Sequence, residues 1–423
     1  MRRRVFVVGV GAITPLGRTW PDSLARLMRG EHGVRAVGRG AGPGPGDFDA
    51  DGFPSRVAAW IDERFDHTDD RRLALAEVAT AEAWRPILAE GVAPERVGVF
   101  LGAESGRAGV ATILALVQAA GGGKRFDHAA FGRDARALAA RIEAQAVSPA
   151  AVAAALAGAI GARGPVETIS LACASGLAAI VEGARALRLG ECDLALCGGV
   201  GADVDPLMLV GFGKLGALSE RGVSRPFDVH RDGFVVGEGA AMVVLRAAAG
   251  PGDLAAVEGV TDRSVEITGI GRSLDGHHLT APDPDGDGAF RAMRAALVDA
   301  GEPEVGYVQA HGTSTPLNDA IEAKAIRRAL GPAADAAWVS SIKGAVGHWI
   351  AGAGAVGALC AIEAVRSGRL VPTANLREPD RDCDLRHLMG AGADRGDEIR
   401  AALVNAFAFG GANASVVVER ARP

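Results

Sequence analysis

Short apolar runs that repeatedly give way to alanine-rich helical stretches constrain this chain most. Val5–Ile13, Val97–Gly102, Asp193–Gly199, Ala240–Leu245, Val305–Ala310 and Ala337–Ile342 read as strands. Ala401–Ala408 and Asn413–Glu419 read as a closing strand pair. Helical spacing falls between the strands, over Pro21–Met28, Asp70–Arg85, Ser148–Ile160, Gly288–Ala300, Asn318–Leu330 and Ala351–Val365. Asp69 and Asp70 stand where acids suit a helix start, and Ser148 suits an N-cap before Pro149. Strands that are apolar throughout, alternating with helices, predict a parallel sheet covered on both faces. The plan runs twice, so a duplicated α/β core is the simplest fold. The turn Pro251-Gly-Asp253 is the expected seam between residues 1–252 and 253–423, with Ala255–Thr261 as the first strand after it.

The length of 423 residues suits two such halves. A net charge of -6 argues against a nucleic-acid protein, which would carry a basic excess. Five cysteines form no CxxC pair and no zinc spacing, so neither a disulfide framework nor a metal site is expected. The apolar run before Gly9 is short for a signal peptide, and no run reads as a bilayer span. The expectation is a cytoplasmic protein with no membrane and no nucleic-acid partner.

Two motifs fail on inspection. Gly9-x-Gly11 opens like a dinucleotide fingerprint, but the third glycine position holds Thr14. Asp283-Pro-Asp-Gly-Asp-Gly288 opens like a calcium loop, but its twelfth position is Arg294, a cation. A turn is the better reading.

Gly164–Ile180 reads as strand, sharp turn, helix. Val166, Thr168, Ile169 and Leu171 suit a short buried strand, and Ala174–Leu189 a helix stopped by Gly190. Cys173 sits at the hand-over. A helix N-terminus stabilises a thiolate, which would lower the thiol pKa. A buried, inert cysteine is the alternative. Two histidines also follow predicted strands: His311 after Val305–Ala310, and His348 after Ala337–Ile342. In open α/β folds that edge is where sites are built. Either histidine alone would more often be structural than catalytic.

Together, the Cys173 stretch, His311-Gly-Thr-Ser-Thr-Pro316 and Lys343-Gly-Ala-Val-Gly-His348 resemble the β-ketoacyl synthases of the thiolase superfamily. Arg225-Pro-Phe-Asp228, Arg231–Gly239, His278-Leu-Thr280 and Asn405–Asn413 agree, so the resemblance covers nearly the whole chain. It implies a thiolase-like layered α-β-α-β-α core. His348 stands where thiolases carry a second cysteine and chain-initiating synthases an asparagine, which implies the elongating, Cys-His-His class.

The resemblance implies a mechanism. Cys173 would take an acyl chain from a carrier-protein thioester. Its own N–H and that of Phe409 would form an oxyanion hole, with Phe409 also gating the acyl pocket. His311 and His348 would hold a malonyl thioester while carbon dioxide leaves. Lys343 and Glu322 would form a buried ion pair orienting His348 and its neighbours. Thr280, Thr313 and Thr315 would bind the 4'-phosphopantetheine arm; no metal or resident cofactor is implied. The implied partners are an acidic acyl carrier protein, met by Arg71, Arg72 and Lys214, and a second copy in a homodimer or a related subunit in a heterodimer. Ala174, Trp349, Ala412 and a long 106–145 segment depart from the family pattern and leave the acyl substrate open. A non-condensing acyltransferase or thioesterase, or a chain-length partner subunit, are the rival readings.

Overall fold

The computed structural model describes residues 3–40, 48, 51–68, 70–87, 92–106, 110–122, 125–139, 147–248 and 263–422. Its core is one motif used twice. The first series is β1 (Arg4–Ile13), α1 (Arg71–Trp84), β2 (Val97–Gly102), α2 (Ala150–Ile160), β3 (Val166–Ile169), α3 (Ser175–Leu189), β4 (Leu194–Ala202) and β5 (Glu238–Ala248). The second is β6 (Val265–Leu274), α4 (Asp287–Asp299), β7 (Tyr307–Gln309), α5 (Pro316–Leu330), β8 (Trp338–Ser340), α6 (Ala353–Ser367), β9 (Ala401–Phe407) and β10 (Ala412–Arg420).

The first series lies in the spatial order β3-β2-β4-β5-β1, the second in the order β8-β7-β9-β10-β6. In each, the three strands from the outer edge are parallel and the last two pairings are antiparallel. The series meet where β1 pairs antiparallel with β6 over Phe6–Glu266 and Val7–Val265. Helices α3 and α6 share one core with the inner strand faces of both series. Helices α1 and α2 cover the outer face of the first series. Helices α4 and α5 cover that of the second. The result is a five-layer α-β-α-β-α stack.

The duplication extends to single glycines. A Cβ at Gly9 or Gly11 of β1 would lie 2.1 and 2.3 Å from the carbonyl oxygens of Ala83 and Ala79 on α1. A Cβ at Gly269 or Gly271 of β6 would lie 2.0 and 2.1 Å from those of Ala296 and Ala292 on α4. Gly9-x-Gly11 is therefore a helix–sheet contact, and Gly269-x-Gly271 is its counterpart.

Several sequence expectations need correction. Strand β3 is not buried: it is the outer strand of its series, and Val166 is 42% exposed. The strand β6 and a helix over Pro206–Lys214 were not anticipated. Ala255–Thr261, the seam at 251–253 and Asp69 lie outside the described residues. Ile350–Ser367 is long and apolar enough for a membrane helix, with mean hydropathy 1.4, but 89% of it is buried within the protein. It contains α6, a central-layer helix whose apolar surface faces protein on every side. The Asp283 loop is a turn, with the Gly286 N–H donating to the Asp283 carbonyl at 2.8 Å.

Overpacking a filled core costs about 1–3 kcal/mol, and here the obstacle is backbone. Gly269→Val is expected to lower the thermal unfolding midpoint clearly, as is Gly9→Val. Gly132→Val, where a Cβ meets nothing within 4 Å, should lower it far less. Equal midpoints for the three variants would contradict the packing argument.

Candidate active site

The loop after β3 delivers Cys173 on a 3-10 turn, Ala172–Ala174, immediately before α3. Ala172 has φ 45°, a left-handed conformation uncommon for a side-chain-bearing residue. The turn is tied down by Ser175, whose hydroxyl donates to the Ala172 carbonyl at 2.7 Å and accepts from the Leu171 N–H at 2.8 Å. Among the described residues the Cys173 N–H and the Phe409 N–H donate to no other residue, the former facing only its own sulfur. That leaves both free to act as donors.

His348 arrives from the other series. Its backbone bridges to the loop before β5: its N–H donates to Val235 at 2.8 Å, and its carbonyl accepts from Gly237 at 2.9 Å. The ring Nε2 stands 3.0 Å from Cys173 Sγ. Phe234 packs edge-on against the ring, with centroids 5.0 Å apart. His311, just past β7, lies edge-on to His348 at 5.8 Å and against Phe407 at 5.5 Å. The three side chains therefore share one wall of a cavity of about 380 Å³. Thr280, Thr313, Thr315 and Phe409 line the same cavity. Thr313 and Thr315 pair through their hydroxyls at 2.9 Å, while Thr280 and Phe409 stand at the exposed rim.

Lys343 and Glu322 are placed differently from the expected ion pair, and they act on His311 rather than His348. Glu322 accepts the N–H groups of His311 and Gly312, both at 2.7 Å, and the Asn405 amide at 3.2 Å. Lys343 donates to the His311 carbonyl, and its Nζ lies 3.4 Å from His311 Nδ1. The two side chains grip the His311 backbone, Glu322 at the N–H and Lys343 at the carbonyl. With an ammonium at Nδ1, the His311 proton sits on Nε2.

Two expected docking arginines are also structural. Arg71 pairs with Glu238 at 2.6 Å, and Arg72, 7% exposed, pairs with Asp70 at 2.6 Å. Lys214 is exposed beside the cavity residues Leu215 and Gly216. Residues not anticipated include Phe212, Phe234 and Phe407 on the cavity wall, and Asn405, which holds Glu322. The Asn405–Asn413 motif contained Asn405 and Phe407. The Arg231–Gly239 motif contained Phe234, whereas Phe212 lay outside every motif.

The family model for the β-ketoacyl synthase N-terminal domain matches residues 2–249, and that for the C-terminal domain matches residues 264–377. The chain belongs to the β-ketoacyl synthases. The 3-oxoacyl-(acyl-carrier-protein) synthase 2 of Synechocystis sp. is 34% identical, spanning 99% of this chain and 98% of that protein. That of Coxiella burnetii is 34% identical, spanning 99% of each. Among solved structures, the ishigamide ketosynthase/chain length factor matches with TM-score 0.82 and 30% identity over 100% of both chains. A β-ketoacyl synthase from Burkholderia phymatum matches with TM-score 0.80 and 29% identity, covering 99% of this chain and 100% of that one.

In this synthase, burial sets the charge state of the site and reverses the expected lowering of the thiol. Cys173 is 7% exposed, and desolvation pushes its thiol up to about 12. The Lys343 charge opposes that, while Asp203 and Glu104 add to it. The helix-end stabilisation is weaker than the cost of burying a thiolate. Burial also holds His311 and His348 well below the usual imidazole value, and Lys343 adds to both shifts. Both rings are neutral at pH 7. Lys343 is lowered by burial to about 8, and Glu322 is raised by burial to about 7.

A thiol held high is protonated through the neutral range, so its thiolate fraction grows about tenfold per pH unit. Alkylation of Cys173 by iodoacetamide is therefore expected to keep accelerating from pH 7 to pH 9. A rate that levels off below pH 7 would indicate a preformed thiolate and contradict the burial argument.

Proposed function

We propose that this synthase is a decarboxylating β-ketoacyl-acyl-carrier-protein synthase of fatty-acid or polyketide type. The observation that carries the reading is the 3.0 Å contact between Cys173 Sγ and a neutral His348 Nε2, with His311 on the same cavity wall.

In the first half-reaction Cys173 Sγ attacks the carbonyl of an acyl thioester, and its proton passes to His348 Nε2. The carrier's thiol leaves with that proton, and the acyl group stays on Cys173. The free N–H groups of Cys173 and Phe409 serve the developing oxyanion. One such donor is worth about 2.7–4 kcal/mol of transition-state stabilisation. In the second half-reaction a malonyl thioester enters. His311 offers its Nε2–H to the thioester oxygen, and His348 does the same once its neutral ring carries the proton on Nε2; negative charge collects there as carbon dioxide departs. The enolate carbon attacks the acyl carbonyl, a C–C bond forms, and Sγ leaves as a thiolate that takes up one proton from water.

The chemistry draws on no resident cofactor; both substrates arrive on the 4'-phosphopantetheine arm of an acyl carrier protein. Thr313 and Thr315 on the cavity wall, and Thr280 at its rim, are placed to hold that arm. Five buried free cysteines suit a reducing, cytoplasmic setting. A second ketosynthase-type chain is the other partner, a copy of this one or a related subunit, as in the ketosynthase/chain length factor neighbour. Cys173 in contact with His348 counts against this chain being the non-catalytic subunit of such a pair.

Incubation with an acyl-carrier thioester should add the acyl mass at Cys173. Malonyl-carrier should then release carbon dioxide and give a product two carbons longer. His311→Ala, which removes no contact to Cys173, is expected to retain the adduct and lose carbon dioxide release by about 100-fold or more. An adduct that is only hydrolysed, without elongation, would favour the thioesterase reading. No adduct at all would favour the partner subunit.

A further inference from the structure

The site described so far explains where Cys173 points but not what keeps its turn in place. Leu171 and Ala172 carry the chain from an outer strand into a left-handed residue, a conformation that must be imposed from outside. The imposing group comes from the end of the neighbouring strand β2. Glu104, two residues past Gly102, turns its carboxylate onto the Cys173 turn. Oε1 accepts the Ala172 N–H at 2.9 Å and lies 3.3 Å from the Ser175 hydroxyl. Oε2 accepts the Ser170 hydroxyl at 2.8 Å. Glu104 is itself anchored: its carbonyl accepts Nη1 of the buried Arg72 at 2.5 Å. Glu104 is not on the cavity wall.

We infer that Glu104 is a positioning residue for acyl transfer: its carboxylate locks the Ala172 turn so that Cys173 Sγ faces His348 Nε2. Its charge, with that of Asp203, adds to the burial that keeps the resting sulfur protonated. Three contacts on two oxygens define the orientation of residues 170–175, which include the nucleophile. The charges facing the sulfur are Lys343, Asp203 and Glu104, with His348 neutral. Lys343 favours the thiolate, and the two carboxylates oppose it. With the thiol protonated, ionisation waits for a thioester and for His348 to take the proton. The inference rests on Cys173 being the acylated nucleophile. The wild-type adduct is its control: if that adduct does not form, the acyl-enzyme reading fails rather than this one.

Three substitutions separate lock from charge. Glu104→Gln keeps an oxygen for the Ala172 N–H and removes the charge. Its acyl transfer rate should stay within about threefold of wild type, and its iodoacetamide alkylation at pH 8 should be faster. Glu104→Leu removes both, and the rate of adduct formation should fall about tenfold or more. The thioester concentration at half-maximal rate should be unchanged, because Glu104 does not line the cavity. Glu104→Asp keeps the charge but withdraws the carboxylate by one methylene; it should also slow transfer, and it decides the case if the leucine variant does not fold. Wild-type transfer rates in the folded leucine or aspartate variant, or a loss confined to half-saturation, would overturn the lock. A glutamine variant with an unchanged or slower alkylation profile would overturn the charge role.

Discussion

A sulfur from one half of the chain meets an imidazole from the other at 3.0 Å, and backbone must touch backbone for that to happen. A Cβ on Gly176, the second residue of α3, would lie 2.7 Å from the carbonyl of Ala351, three residues after His348. A Cβ on Gly199 of β4 would lie 2.8 Å from Gly176 Cα and 2.9 Å from the same carbonyl. Any side chain at these points would wedge the two turns apart. The two halves bury a common apolar layer, and the glycines set how closely they can approach within it. Both turns also carry a left-handed non-glycine residue, Ala172 and Ile350, held by that packing.

Burial then decides the chemistry. A thiol, two imidazoles, a lysine and a glutamate lie within a few residues of one another, all shielded from water. Each is driven toward its neutral form, the thiol and carboxyl upward and the rings and amine downward. The thiol and both rings are uncharged at neutral pH, while Lys343, at about 8, keeps its proton; uncharged rings suit a reaction whose critical species is an enolate. Neutral N–H donors stabilise that charge as it develops, without binding a resting anion as tightly. Lys343 supports this by occupying His311 Nδ1 and leaving the other ring nitrogen to carry the proton.

Much of this was legible in the sequence, and the limits have identifiable causes. Apolar runs and alanine-rich helices located most of both series, and the placement of Cys173, His311 and His348 past strand ends marked the site. Strand β6 was missed because Val265-Glu-Ile-Thr-Gly-Ile-Gly alternates polar with apolar residues and holds no apolar run such as Val416-Val-Val418 of β10. Its Gly-x-Gly pair, matched to Gly9-x-Gly11, was the signal that could have found it. The thiol's protonation could not be read locally, since it depends on burial in a cluster with Trp60, Phe212, Phe234 and Ile350, all distant in sequence. Lys343 and Glu322 were correctly brought to the site, but their division of contacts depends on backbone N–H groups that no motif displays. Arg71 and Arg72 looked like free cations because Glu238 lies 167 positions from Arg71, and because only the fold buries the Arg72–Asp70 pair. Glu104 lies beside the nucleophile turn only because β2 and β3 are parallel neighbours.

The residues that depart from the family pattern turn out to be packing residues. Trp349 is fully buried, and its indole N–H donates to the Val346 carbonyl at 2.8 Å. Its ring fills the space above Gly237 and Gly239, where Cβ atoms would stand 2.9 and 2.6 Å from ring carbons. The large residue after His348 is thus matched by two absent side chains in Val235-Val-Gly-Glu-Gly239, and it braces the backbone that carries His348. Ala174 is 1% exposed within the central layer. Neither residue lines the cavity. The cavity that holds Cys173 is lined instead by Phe212, Leu215, Phe234 and Phe409. A difference in chain preference from the relatives has to be sought in that wall rather than in the substitutions next to the catalytic residues.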